Sequence, residues 1–103
     1  MVKWIGLHVN GDTGVPFAAP NYATKSVQAV GIWGGATVTI EGSNMVDNPI
    51  YSPETNILGA SITFSADGVK QIFSNTYYIR PRISSGATDT TLVDVYLICH
   101  TER

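Results

Sequence analysis

Turn-forming residues interrupt this sequence at short intervals: Asn10-Gly11, Asp12-Thr13-Gly14, Pro16, Pro20, Gly34-Gly35, Asn48-Pro49, Ser52-Pro53, Asp67-Gly68 and Ser84-Ser85-Gly86. Such residues end regular structure because they tolerate or impose backbone angles that helices and strands do not use. The runs between them have strand length and are rich in β-branched and aromatic residues: Trp4 to Val9, Ser26 to Trp33, Ala36 to Gly42, Ser61 to Phe64, Val69 to Phe73, Tyr77 to Ile83 and Thr90 to His100. No segment carries a convincing helical period, and there is no internal repeat. Short strands at this spacing predict an all-β fold, a sandwich or a small barrel. With 103 residues the chain is expected to form one domain over residues 1–103.

Local patterns sharpen that expectation. In Ala36 to Gly42 the residues Ala36, Val38 and Ile40 fall on one face and Thr37, Thr39 and Glu41 on the other, which predicts a sheet with one wet side. Asp67-Gly68, between Ser61 to Phe64 and Val69 to Phe73, predicts a tight hairpin. Residues 44–56, with Pro49, Pro53 and Tyr51 but no sustained period, read as an excursion from the sheets, either a plain crossover or an interaction loop. The last run is apolar on both sides: Thr91, Val93, Val95, Leu97 and Cys99 on one, Leu92, Tyr96 and Ile98 with Asp94 and His100 on the other. It is either a central strand or a strand covered on one side by another subunit, which makes Val93, Val95, Tyr96, Leu97 and Ile98 candidate oligomer contacts.

Composition excludes several function classes. Six basic and eight acidic residues give a net charge of −2, the wrong sign for a protein that wraps a nucleic-acid backbone. No window approaches the ~20 apolar residues of a membrane-spanning helix, and polar Asn10-Gly11-Asp12 arrives before a signal-peptide core could develop, so no membrane partner and synthesis in the cytoplasm are expected. A chain this short buries only ~60–65% of its unfolded surface, and its single cysteine, Cys99, rules out an intrachain disulfide, so a partner is expected to contribute stability.

Candidate chemistry is sparse. Asp12-Thr13-Gly14 is similar to the triplet of retroviral-type aspartic proteases, but it follows Val9-Asn10-Gly11 and lacks the complementary apolar-apolar-Gly segment near the C-terminus, so a turn is the expectation. His8, Cys99 and His100 are the only soft metal ligands, and adjacent Cys99 and His100 point to opposite sides of a strand, which argues against a shared metal. With no phosphate-binding loop or Asp-rich calcium loop either, no cofactor is expected and the chain is read as non-enzymatic. Trp4 and Trp33 are expected as core or interface anchors rather than sugar platforms. The most unusual patch is Tyr77 to Ile83, where Tyr78, Arg80 and Arg82 share a face and Pro81 suggests an edge or a bulge. Tyr and Arg dominate interface hot spots, so these three are candidate partner-binding residues; the competing readings are Arg stems lying over apolar surface and local pairing with Glu41 or Asp94.

Val38 to Asn44, Ile62-Thr63-Phe64 with Asp67 to Gln71, Tyr78 to Arg82 and the apolar last strand together resemble small proteins from the structural gene modules of tailed bacteriophages. The resemblance covers Ser26 to His100. It implies an antiparallel β-sandwich of jelly-roll type located on the virion, and among such proteins are capsid cement, or decoration, proteins that bind the outside of the assembled head. The partners it implies are the phage major capsid protein and further copies of the chain itself, as a dimer or trimer. A tail or baseplate location is the neighbouring possibility. Glu41-Gly42-Ser43-Asn44 followed by an aromatic-Ile-Arg strand also looks like discoidin-type carbohydrate-binding sandwiches, although Met45-Val46-Asp47 replaces the aromatic-rich turn of those domains.

Overall fold

Alternating apolar residues need a second layer to cover them, and here two sheets cover each other. The structure is a computed structural model that describes residues 1–20, 22 and 24–100. Among the described residues there are nine strands and no helix: β1 Val2–Leu7, β2 Phe17–Ala18, β3 Thr24–Ile32, β4 Thr37–Ser43, β5 Ser52–Pro53, β6 Thr63–Phe64, β7 Gly68–Ile72, β8 Tyr78–Ser85 and β9 Leu92–His100. The first sheet has the order β1-β9-β3-β7, and the second β2-β8-β4-β5 with β6 also on β4. All these pairings are antiparallel. Counting β5 and β6 as one interrupted strand gives the eight-strand jelly-roll order, in which consecutive strands mostly lie in opposite sheets and pair with strands distant in sequence. The radius of gyration, 12.8 Å, is that of a single domain of this length.

The inner faces follow from period two. Val27 and Ala29 of β3 and Val93, Val95 and Leu97 of β9 pack against Val38 and Ile40 of β4 and Ile79 and Ile83 of β8, all fully buried. Trp4 and Leu7 of β1 are three residues apart and would face opposite sides of a regular strand. A bulge corrects this: Trp4 pairs with Val95 and Leu7 with Val93, so Ile5 and Gly6 share one partner position. Gly6 takes φ 82°, which favours glycine, and its N–H reaches Asp94 Oδ1 at 2.9 Å.

Three expectations are corrected. Asp67-Gly68 closes no hairpin, because β6 lies in the second sheet and β7 in the first. The Asp67 carboxylate instead accepts from Gly31 N–H at 3.0 Å and Trp33 Nε1 at 2.8 Å, which ties the crossing to β3. Pro81 marks no edge: β8 lies between β2 and β4, with Pro81 opposite Ile40. Its missing N–H points to the same side as its carbonyl, which accepts from Gly14 in the irregular stretch between the Thr13–Arg82 bridge and β2. The face of β4 expected to be wet is covered as well, leaving Thr39 and Glu41 buried.

Candidate functional site

The two outer faces of the sandwich differ. On the second sheet, Glu41 of β4 sits directly opposite Arg80 of β8, and Thr39 opposite Arg82. Glu41 accepts from Arg80 Nε at 3.1 Å and lies 3.7 Å from Arg82 Nη1, while the Thr39 hydroxyl donates to Ser84 Oγ. The chain leaves β4, loops out, and returns through Tyr51, whose ring lies 3.7 Å from the Arg80 guanidinium carbon. Arg80 is thus held between an aromatic face and a carboxylate, two interactions that strengthen as water is excluded. Tyr78 packs edge-on against Tyr77. Of the three candidate partner-binding residues, Arg80 is engaged within the chain, as local pairing with Glu41 anticipated, whereas Arg82 and Tyr78 remain part-exposed.

The interaction loop 44–56 splits in two. Residues 44–50 are exposed, but Ser52–Pro53 pairs with β4 and Glu54 is 1% exposed.

The outer face of the first sheet has no such cover. Rows run straight across it: Lys3, Tyr96, Gln28 and Val69 in one, Ile98, Ser26 and Gln71 in the next, and Leu92 with Ile32 nearer the far end. Val69, Leu92, Ile32, Ile98 and Ile5 are all 44–62% exposed. A shallow groove of about 310 Å³ lies among Met1, Ser26, Gln28, Val69, Tyr96 and Ile98. Asp94, the acidic residue of β9 on this face, is occupied by the Gly6 N–H. The candidate oligomer contacts therefore separate. Val93, Val95 and Leu97 are removed from that role because they are fully buried within the chain, while Tyr96 and Ile98 stand on the open face.

The remaining candidates are structural. Asp12 Oδ2 accepts from the N–H groups of His8 and Val9, which holds its carboxyl below the usual range and closes the turn. Trp4 is 6% exposed, its indole N–H donates to Val15 O at 2.7 Å, and the backbone of Gly14 lies so close to its ring that a Cβ there would stand 2.1 Å from Trp4 Cδ1. No sugar can stack on it. Trp33 is half-buried and tied to Asp67. Burial pushes the Cys99 thiol up, away from the thiolate. Among the described residues, no three His, Cys, Asp or Glu side chains converge on a metal position.

Sequence reasoning missed a buried polar cluster at one end of the sandwich. Lys25, on the inner face of β3 opposite Cys99 and Ile72, is fully buried, and Glu54 is nearly so. Glu54 accepts from the Ser74 and Thr76 hydroxyls, each at 2.7 Å, and Lys25 Nζ donates to Asn75 Oδ1 at 2.6 Å. Gly42 makes the space, since a Cβ there would stand 2.3 Å from Thr76 Oγ1 and 2.7 Å from Glu54 Cδ. The one sequence signal was Lys25 immediately before the Ser26 to Trp33 run, two residues from Val27 and so in phase with the face that carries Val27 and Ala29.

Compared with protein-family models, with curated proteins and with solved structures, the chain matches none.

Proposed function

We propose that this protein is a non-enzymatic attachment protein of a tailed-phage virion, of the capsid cement type. The observation that carries the reading is the outer face of the first sheet. Large apolar side chains stand there on a rigid, fully paired sheet, in a small domain whose other outer face is covered by its own side chains. Val69, Tyr96 and Ile98 line one groove there together with Ser26 and Gln28, and clustered exposed apolar side chains mark association sites, for which ~800 Å² per partner suffices. In this reading Tyr96, Ile98 and Val69 join copies of the chain, while Tyr78 and Arg82 reach the major capsid protein. Binding the assembled lattice in preference to free shell subunits then stabilises the head by mass action, and an oligomer gripping two sites gains effective concentration.

The test is co-sedimentation of the purified chain with purified heads, with its copy number per shell subunit measured by mass spectrometry. A fixed stoichiometry on heads supports the reading; recovery with tails alone reassigns it to the tail or baseplate, and recovery with neither overturns it. The carbohydrate-binding alternative loses Trp4 as a platform. A glycan retained by the wild type and lost on Trp33→Ala would restore it.

A further inference from the structure

We propose that Lys25 and Asn75 join in an intramolecular isopeptide bond, with Glu54 carrying the protons. Lys25 is 0% exposed and held between the inner faces of β7 and β9. Its Nζ donates to Asn75 Oδ1 at 2.6 Å and to the Tyr22 carbonyl at 3.1 Å. Oδ1 is bonded to Cγ, so this hydrogen bond holds the amine beside the amide it would attack, and much of the entropy of bringing the two groups together is lost already on folding. Glu54 is 1% exposed and is held by the side chains on either side of Asn75, Ser74 and Thr76.

An ion pair does not explain this arrangement. Among the described residues no contact within 4.0 Å joins Lys25 to a carboxylate, and an ammonium buried without one carries a large desolvation cost. The environment instead favours the uncharged forms: burial pushes the Lys25 amine down and the Glu54 carboxyl up, and the attraction between them only partly opposes each shift. A neutral amine is a nucleophile, and a protonated carboxyl is the acid a leaving amide nitrogen requires.

The reaction balances without any co-reactant. The Nζ lone pair attacks Asn75 Cγ and forms a tetrahedral centre with the charge on Oδ1. The Glu54 carboxyl gives its proton to Nδ2, the Cγ–Nδ2 bond breaks, ammonia leaves, and the Nζ of the new amide returns a proton to the Glu54 carboxylate. A secondary amide remains between Lys25 and Asn75, and Glu54 returns to its starting state. The bond closes residues 50 apart in sequence and fastens β3 to the connection between β7 and β8. This proposal holds whether or not the protein sits on a virion.

The test is the intact mass of the purified full chain, followed by tryptic peptide mapping. The expected mass is below that of the sequence by one ammonia, with no cleavage after Lys25 and a branched peptide carrying Lys25 and Asn75. Asn75→Ala should restore the full mass and the cleavage. Glu54→Gln should fold with the same β-sheet spectrum and remain unlinked; if it does not fold, Ser74→Ala, which frees one carboxylate oxygen, should slow the linkage measurably. Imide formation at Asn10-Gly11 also loses ammonia, but it would survive Asn75→Ala and leave cleavage after Lys25 intact. That pattern, or a wild-type mass equal to the sequence, overturns the proposal.

Discussion

The two outer faces of this sandwich are built from the same kind of strand, yet one is covered by its own side chains and the other is bare. On the second sheet, Tyr51 returns over Arg80, Arg80 lies on Glu41, and Thr39 bonds Ser84, so every charge in the layer is answered within the chain. On the first sheet the corresponding rows carry Tyr96, Val69, Ile98 and Leu92 with nothing above them. The polar stripe that stands out in the sequence is thus largely self-sufficient, and the plainer apolar rows are the surface that gains most from a partner.

That contrast can be broken by mutation. The largest effect is expected from the double variant Val69→Asp, Ile98→Asp, which places carboxylates in the proposed contact. Self-association measured by sedimentation should weaken by at least about 100-fold, roughly 3 kcal/mol, while the dissociated chain keeps its β-sheet spectrum and its melting temperature loses its dependence on protein concentration. A fall in melting temperature without loss of association would show that the face is structural.

Next comes the interior. Glu54→Ala removes the carboxylate that accepts from the Ser74 and Thr76 hydroxyls, leaving Thr76 only the Tyr78 carbonyl and Ser74 only the Thr55 N–H, and opens a cavity, with an expected loss of about 2–3 kcal/mol in urea unfolding. The pH dependence has a definite sign. Burial raises the folded-state Glu54 carboxyl above its ordinary 4.5, so the folded state binds more protons than the unfolded one. The stability contribution from its protonated form is complete below 4.5 and is lost as pH rises through the raised folded value. Across that window the melting temperature of the wild type should fall relative to Glu54→Gln; parallel curves would show that Glu54 does not titrate differently on folding.

Smaller effects sharpen the description of the covered face. Arg80→Ala removes the guanidinium from both Tyr51 and Glu41 and is expected to cost about 1–2 kcal/mol of stability, whereas the more exposed Arg82→Ala should cost under about 0.5 kcal/mol. Equal losses would contradict the assignment of Arg80 as the residue on which the layer is built. Smallest of all is Tyr51→Phe. The Tyr51 hydroxyl is buried with no hydrogen-bond partner among the described residues, so its removal should leave the melting temperature unchanged or slightly higher.

How much of this was legible in the sequence depends on the range over which each feature is decided. The longer strands were visible because β-branched and aromatic residues alternate within each run, as in Ala36 to Gly42, and because turn residues bound them. Phe17–Ala18 and Ser52–Pro53 were not, since two residues carry no period. Strand partners were illegible for a topological reason: in a jelly roll, Asp67-Gly68 can have hairpin chemistry and still carry the chain from one sheet to the other. The Glu41 pairing with Arg80 was among the weighed readings because Arg80 falls on one face of its run with Arg82 and Glu41 on the polar face of another. Asp94 was an equal candidate, and only the strand order brings Glu41 opposite. Glu54 was hidden in a segment that read as loop, where a charged residue is ordinarily solvated.

The central claim is that this protein acts by surface association through the outer face of the β1-β9-β3-β7 sheet. Sedimentation equilibrium of the purified wild-type chain over micromolar concentrations tests it most directly. The account predicts a dimer or trimer that dissociates to a folded monomer in the Val69→Asp, Ile98→Asp variant. A wild-type chain that stays monomeric at every concentration, with its open face indifferent to both aspartates, would contradict it.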